Sequence, residues 1–242
     1  MNKIFDEIIN GIVYKKNPFI YDADDVIFEF KEYFRNNLNE SFGTRLKKGD
    51  IVIYDVSKLL PFKEKGLTQK DIYSAVREMG NKPEFTQLRA RTGVIESIDL
   101  LLGGKFYTDG REHFFIDTSR NNELYDDIEN KTMENLKNRG FPQNNNIIYN
   151  PNKEEIAYGM GAKLFFEDSP ITALRIIKRG IPVVMPKQEW NIKTHRDIIL
   201  LDTKDAIEKH NLIDELESYS GKLFFRINDF VEFREYLKTI VK

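Results

Sequence analysis

The chain reads as an α/β protein built on a parallel sheet with helices on both faces, and three observations point there. From about residue 92 onward, short apolar runs of strand length alternate with stretches of helical periodicity. Those runs end abruptly in hydroxyl, ammonium or carboxylate side chains. With 40% hydrophobic and 12% aromatic residues among 242, the chain can also bury a substantial core, either as one domain or as a core with a smaller insert. Alternation of this kind favours a parallel sheet whose ligand site lies at the carboxyl ends of its strands.

Taken in order, Ile4, Phe5, Ile8, Ile9 and Ile12 place a short amphipathic helix within residues 1–17, ending near Gly11 and packing on the domain from outside. Residues 18–28 (PFIYDADDVIF) form an aromatic strand that stops at Asp22 and Asp24, then resume apolar character. A helix begins around residues 28–34, with aromatic side chains on one face and charges on the other. The stretch to residue 90 mixes helical pieces with turns, and Thr68 followed by Asp71 reads as an N-cap with a capping box. Residues 51–57 (IVIYDVS) read as another strand leading to an acid, but Ser57 stands where a second carboxylate would be, so this run ranks below Asp22 and Asp24.

Beyond it, Val94, Ile95, Ile98, Leu101 and Leu102 give one helix face, closed by Gly103 and Gly104. Residues 113–117 form a strand, followed by Thr118, Ser119, Arg120, Asn121 and Asn122 and a charged helix ending at Gly140. The strand at 146–149 runs into a short helix that reaches Gly161, with Lys153 between them; the strand at 163–166 delivers Glu167 and Asp168. Ser169 as cap, Pro170 at the first helical position and Gly180 past the end mark the next helix, and 181–185 is a further strand. After about residue 205 no motif is assignable, although 223–227 reads as an added strand.

Composition narrows the chemistry. Thirty-seven basic and 39 acidic residues nearly cancel, at a formal net charge of −2, so no polyanion-binding surface and no stable nucleic-acid complex is expected. With no cysteine and three scattered histidines, thiolate and histidine-rich metal sites drop out, leaving oxygen ligands and a hard cation. The acidic N-terminus lacks signal-peptide character and no apolar run reaches spanning length, which gives the expectation of a cytoplasmic protein without a membrane partner.

Side chains alternate along a strand, so Asp22 and Asp24 leave the same side, close enough to share one magnesium ion and one reacting phosphate. Two such carboxylates repel unless a cation or a proton separates them, which makes either a metal site or a nucleophile beside a general acid. Asp-x-Asp alone more often marks a solvated loop; Thr118 and Asp168 alone read as caps, and Lys153 as a surface residue. Their joint position past four strand ends, with Ser119 and Glu167, turns the balance toward one site.

This set resembles the haloacid dehalogenase superfamily of phosphohydrolases, and within it the 5′-nucleotidase and deoxyribonucleotidase group. Residues 22–26 (DADDV) resemble the first motif, Thr118-Ser119-Arg120 the second, Lys153 the third and residues 167–170 (EDSP) the fourth, with Glu167 where an aspartate is usual. The resemblance covers residues 18 to 200. It implies a Mg²⁺-dependent phosphatase acting on nucleoside or deoxynucleoside 5′-monophosphates. Asp22 would be the nucleophile and Asp24 the acid and base. Thr118, Ser119 and Lys153 would bind phosphate. Asp22, the Asp24 carbonyl and Glu167 would hold Mg²⁺, with Asp168 orienting Lys153 or a metal-bound water. The roughly ninety residues between the first two motifs exceed a simple crossover; the resemblance makes residues 30–90 a helical cap on a core of 1–29 and 91–242, the last part, 205–242, without a role. Phe30, Tyr33, Phe34 and Phe42 are candidates to stack on a base, though cap core is the commoner fate of such residues. A sugar phosphate, a polynucleotide 3′-phosphate, or a non-catalytic phosphate-binding module stand as alternatives, and a homo-oligomer is compatible with the sequence.

Overall fold

A computed structural model describes residues 2–108, 111–120, 126–142 and 146–241. Asn121 and Asn122, read above as part of the loop after a strand, lie outside the described residues. The elements run α1 (Lys3–Lys15), β1 (Phe19–Asp22), α2 (Phe30–Phe42), α3 (Leu60–Lys63), α4 (Gln69–Gly80), α5 (Val94–Leu101), β2 (Phe114–Thr118), α6 (Ile128–Asn138), β3 (Asn146–Tyr149), α7 (Lys153–Gly159), β4 (Leu164–Phe166), α8 (Pro170–Lys178), β5 (Val183–Pro186), α9 (Asp197–Leu200), α10 (Thr203–Glu217), β6 (Phe224–Ile227) and α11 (Phe230–Ile240). Single 3₁₀ turns occur at Val56–Lys58, Pro83–Gln87 and Glu189–Asn191.

The six strands form one sheet in the order β3-β2-β1-β4-β5-β6, parallel throughout. The order reverses direction between β1 and β4, which opens a crevice past their carboxyl ends. Alternation along the strands feeds two apolar layers. Phe19 and Tyr21 of β1, Leu164 and Phe166 of β4 and Val184 of β5 join one core with side chains of α1, α5, α6 and α11. Ile20, Phe165, Val183 and Met185 point the other way, into a second core with Ala173, Ile176 and Ile177 of α8 and Leu216 of α10. The expected α/β sheet with helices on both faces is therefore what forms. Residues 205–242 complete it: β6 pairs with β5, and α11 packs against α5 and α1.

Local signals place the caps. Thr68 and Asp71 form the reciprocal capping box of α4, and Ser169 Oγ accepts from the Thr172 N–H at the start of α8, with Pro170 next. Two readings need correction. The first helix does not end near Gly11 but continues to Lys15 and closes at Lys16, whose φ of 54° is left-handed. Gly11 serves there as a close-approach site, because a Cβ would lie 2.7 Å from Asn17 Nδ2. Residues 51–57 are not a strand: Ile51 and Val52 are buried beneath a turn in which Asp55 Oδ1 accepts from the Ser57 N–H (3.2 Å) and hydroxyl (2.6 Å). An apolar run becomes a strand only when a neighbour completes its hydrogen bonds, and this one meets no strand among the described residues.

The segment between β1 and β2 enters and leaves side by side. Phe28 bridges Ala90 antiparallel, the Glu29 N–H donates to the Arg89 carbonyl (2.8 Å) and the Arg91 N–H to the Ile27 carbonyl (2.8 Å). Between these paired linkers lie α2, α3 and α4, over the carboxyl end of β1.

Candidate active site

β1 delivers Asp22 at its last position, buried to 6% exposure, with its backbone paired to Asp117 of β2. Its Oδ1 accepts from the Ala23 N–H (2.8 Å) and pairs with Lys153 Nζ (2.6 Å). Lys153 stands at the start of α7, just after β3, and its ammonium also donates to Glu167 Oε2 (3.0 Å). Glu167, at the end of β4, accepts on Oε1 from the N–H groups of Asp168 (3.1 Å) and Ser169 (2.9 Å). Three strand ends thus meet at one buried ammonium. Asp168, next along, is fixed through its main chain: its carbonyl accepts from Trp190 Nε1 and Asn191 Nδ2, both at 3.1 Å.

Asp24 faces the same cavity but a different cation. Its two carboxylate oxygens take a fork from Arg120, Nε to Oδ2 at 2.9 Å and Nη2 to Oδ1. Thr118, at the end of β2, is buried and accepts from the Arg120 N–H (3.2 Å), while Ser119 is exposed. Asp22, Asp24, Thr118, Ser119, Lys153 and Asp168 line one cavity of about 250 Å³, and Glu167 lies beneath it, gripping the lysine. All seven of the residues expected at the site therefore converge. Of the four aromatics proposed to stack on a base, Phe30 and Phe34 line the cavity, their rings 5.6 Å apart and near parallel. Tyr33 instead donates its hydroxyl to the Met79 carbonyl, and Phe42 packs edge-on against Phe62.

Negative charge is in excess here. Burial pushes the Asp22 carboxyl well above its ordinary range against the pull of Lys153, and burial with the neighbouring Glu167 does the same to Asp168. Burial lifts Asp25, which sits in the left-handed region at φ 56°, and Asp117 each to about 7. Burial by itself would lower Lys153, but Asp22 and Glu167 overcome it and hold the ammonium charged. Neither oxygen of Asp117 has a hydrogen-bond partner among the described residues. Lys153 alone stands against Asp22 and Glu167, with Asp168 and Asp117 buried nearby, and a bound cation would relieve them.

The donor set suits a hard divalent ion. One oxygen from each of Asp22, Glu167 and Asp168 lies within 4.8 Å of the others, all three residues buried. Carboxylate oxygens without histidine or thiolate are what Mg²⁺ takes. The Asp24 carboxylate is not in this group and is turned to Arg120; the expected contribution of Asp24 is its main-chain carbonyl. The sequence places Arg120 in the second motif but gives it no role, and it gives no sign of the burial of Asp25 and Asp117 or of the Trp190–Asp168 bond. An arginine two residues past Thr118, at a strand end otherwise rich in hydroxyls, is the one signal the sequence offers for the first; the others follow only from packing.

No family model and no curated protein matches this chain. Solved structures do. A haloacid dehalogenase-like hydrolase from Streptococcus pneumoniae superposes with TM-score 0.54 at 11% identity, over 91% of this chain and 97% of that one. The fold is haloacid dehalogenase-like. A hydrolase from Pseudomonas syringae gives TM-score 0.54 at 16% identity over 93% and 99% of the two chains. A haloacid dehalogenase family hydrolase from Deinococcus radiodurans, solved with bound phosphate and sodium, gives 0.53 at 15% identity over 93% and 96%. No described helix is long and apolar enough to cross a membrane.

Proposed function

We propose that this chain is a phosphomonoester hydrolase of the haloacid dehalogenase superfamily, Mg²⁺-dependent and acting on nucleoside or deoxynucleoside 5′-monophosphates. The observation that carries the reading is the convergence of Asp22, Lys153, Glu167 and Asp168 at the β1/β4 crevice, beside a cavity also lined by Phe30, Phe34, Tyr54, Tyr73 and Trp190. A neighbour of the same fold was solved with bound phosphate and sodium, which supports an anion and a cation as ligands.

In this mechanism both observed bonds to Asp22 fall on Oδ1, which leaves Oδ2 to attack phosphorus. The P–O bond to the leaving group breaks as the Asp24 carboxyl gives that oxygen its proton. Asp24 then takes a proton from water, whose oxygen attacks the aspartyl-phosphate and releases Asp22 and inorganic phosphate. Lys153 and the hydroxyls of Thr118 and Ser119 hold the phosphoryl oxygens. Asp22, Glu167 and Asp168, with the Asp24 carbonyl, would hold Mg²⁺, which when bound neutralises phosphoryl charge. Helices α2 to α4 act as the cap, residues 30–90, that shields the reaction from water. Phe30, Phe34 and Trp190 offer a face for a flat heteroaromatic base.

The geometry divides the fourth-motif acids. Three hydrogen bonds commit Glu167 to Lys153 and to the Asp168 and Ser169 amides, whereas Asp168 makes its hydrogen bonds with Trp190 and Asn191 through its carbonyl. Asp168→Asn should therefore raise the Mg²⁺ concentration needed for half-activation by about tenfold or more. Glu167→Gln should act mainly on kcat, by loosening Lys153. Metal titrations of the two variants check this; the reverse pattern makes Glu167 the principal ligand.

A panel of phosphorylated metabolites assayed for phosphate release tests the substrate. Nucleoside monophosphates should give the highest kcat/KM, and a chelator should remove activity until Mg²⁺ is restored. Phe34→Ala should raise KM for a nucleotide by about tenfold, the scale of one base–aromatic stack, and leave KM for a small sugar phosphate unchanged. A hundredfold preference for a sugar phosphate would transfer the reading to that class.

A further inference from the structure

The fork between Arg120 and Asp24 belongs to no part of the mechanism above, and its surroundings are built. The Arg120 side chain is 1% exposed. Its guanidinium carbon lies 4.7 Å from the Phe85 ring centroid and 5.5 Å from that of Phe28. Nη1 donates to Thr132 Oγ1 of α6 at 3.2 Å. Aromatic faces and a hydroxyl hold the planar group from three separate segments, so it acts as a fixed fork rather than a swinging arm. Asp24, by contrast, is 24% exposed on the cavity. Without a partner its carboxylate would be free to rotate about two side-chain bonds.

Resting on the assignment of Asp24 as the proton-transfer group, we infer that Arg120 is a positioning residue: it fixes the plane and direction of the Asp24 carboxylate toward the leaving-group oxygen. A carboxylate has about four lone-pair sites. The fork occupies one on each oxygen, which leaves a site on each for the proton that passes from the Asp24 oxygen to the bridging oxygen as the P–O bond breaks toward that oxygen. The same residue sets the second hydroxyl of the site. By donating its N–H to Thr118 Oγ1, Arg120 occupies an acceptor position there and leaves the Thr118 hydrogen to donate to a phosphoryl oxygen.

The test compares leaving groups. A nucleoside monophosphate leaves as an alkoxide that needs the proton, whereas p-nitrophenyl phosphate leaves as a stable phenolate that needs little help. Asp24→Asn is the reference, and it should lose far more rate on the first substrate than in the first turnover of the second. Arg120→Lys keeps the charge and loses the planar fork. It should lower kcat on the nucleotide by about tenfold or more, with KM within about threefold, and change the first turnover of p-nitrophenyl phosphate much less. In the double variant the two losses should not add.

If Asp24→Asn shows the leaving-group contrast and Arg120→Lys does not, the positioning role is overturned while the mechanism stands. If Asp24→Asn itself shows no contrast, the acid–base assignment falls and the inference with it. Should Arg120→Lys fail to fold, Thr132→Val removes only one anchor of the fork. It should show the same contrast at about threefold, and an unchanged Thr132→Val enzyme then overturns the proposal.

Discussion

Asp22→Asn should abolish turnover of every phosphomonoester, whatever its leaving group. A neutral amide oxygen does not displace at phosphorus, and no other carboxylate occupies the same place: Glu167 is tied by three hydrogen bonds and Asp24 by the Arg120 fork. The expected loss is at least about 10⁴-fold in kcat, the scale seen when a covalent nucleophile is removed. The fold should survive. The amide keeps the shape and can still accept at Oδ1, and burial already disfavours the charged form of Asp22. Steady-state assays with a nucleotide and with p-nitrophenyl phosphate, together with a thermal melt, check both halves. Residual turnover within a hundredfold of wild type would remove Asp22 as nucleophile. Loss of both activity and fold would be answered by phosphate binding to Asp22→Ala.

Lys153→Met should be the next most damaging change, lowering kcat by about 10²-fold or more, which corresponds to about 3 kcal/mol of transition-state stabilisation. The ammonium is 4% exposed and lies between Asp22 and Glu167, where the phosphoryl group would gather charge. The same change carries a stability signature with a defined sign. Removing the cation leaves the two carboxylates buried together without a counter-charge, at a cost of about 3–5 kcal/mol near neutral pH. Without the pull of Lys153, burial pushes the Asp22 carboxyl still further above its unfolded value, so the folded state binds more protons and the deficit shrinks as pH falls. Melts at pH 7 and pH 5 should show the variant recovering part of its lost Tm relative to wild type at the lower pH. Kinetics close to wild type would take Lys153 out of the site. A deficit that grows with acid would mean that the carboxylates do not depend on it.

Much of this architecture is written in local chemistry. The caps at Thr68 and Ser169, the proline at the start of α8 and the aromatic run of β1 each act over a few residues, and each forms where the sequence places it. The candidate residues were legible for the same reason, since a polar group just past an apolar run marks a strand end wherever the strand lies in the sheet. The misreadings were equally local. Residues 51–57 have the composition of a strand but no strand neighbour among the described residues, and Gly11 has the look of a helix stop but lies inside the first helix with the Asn17 side chain against it.

What the sequence by itself determined was most of the strands and helices and the placing of acids, hydroxyls and one lysine just past the strand ends, because alternation, capping and donor chemistry depend on residue type and short spacing. Pairing was decided only by the tertiary structure. The order β3-β2-β1-β4 brings Lys153 between Asp22 and Glu167, and Arg120 onto Asp24 from 96 positions away in the chain. Which cation meets which carboxylate depends on sheet order, burial and the angle at which each strand ends. None of these is a property of any short stretch of sequence, and together they give the acids separate partners, Asp22 and Glu167 on Lys153 and Asp24 on Arg120.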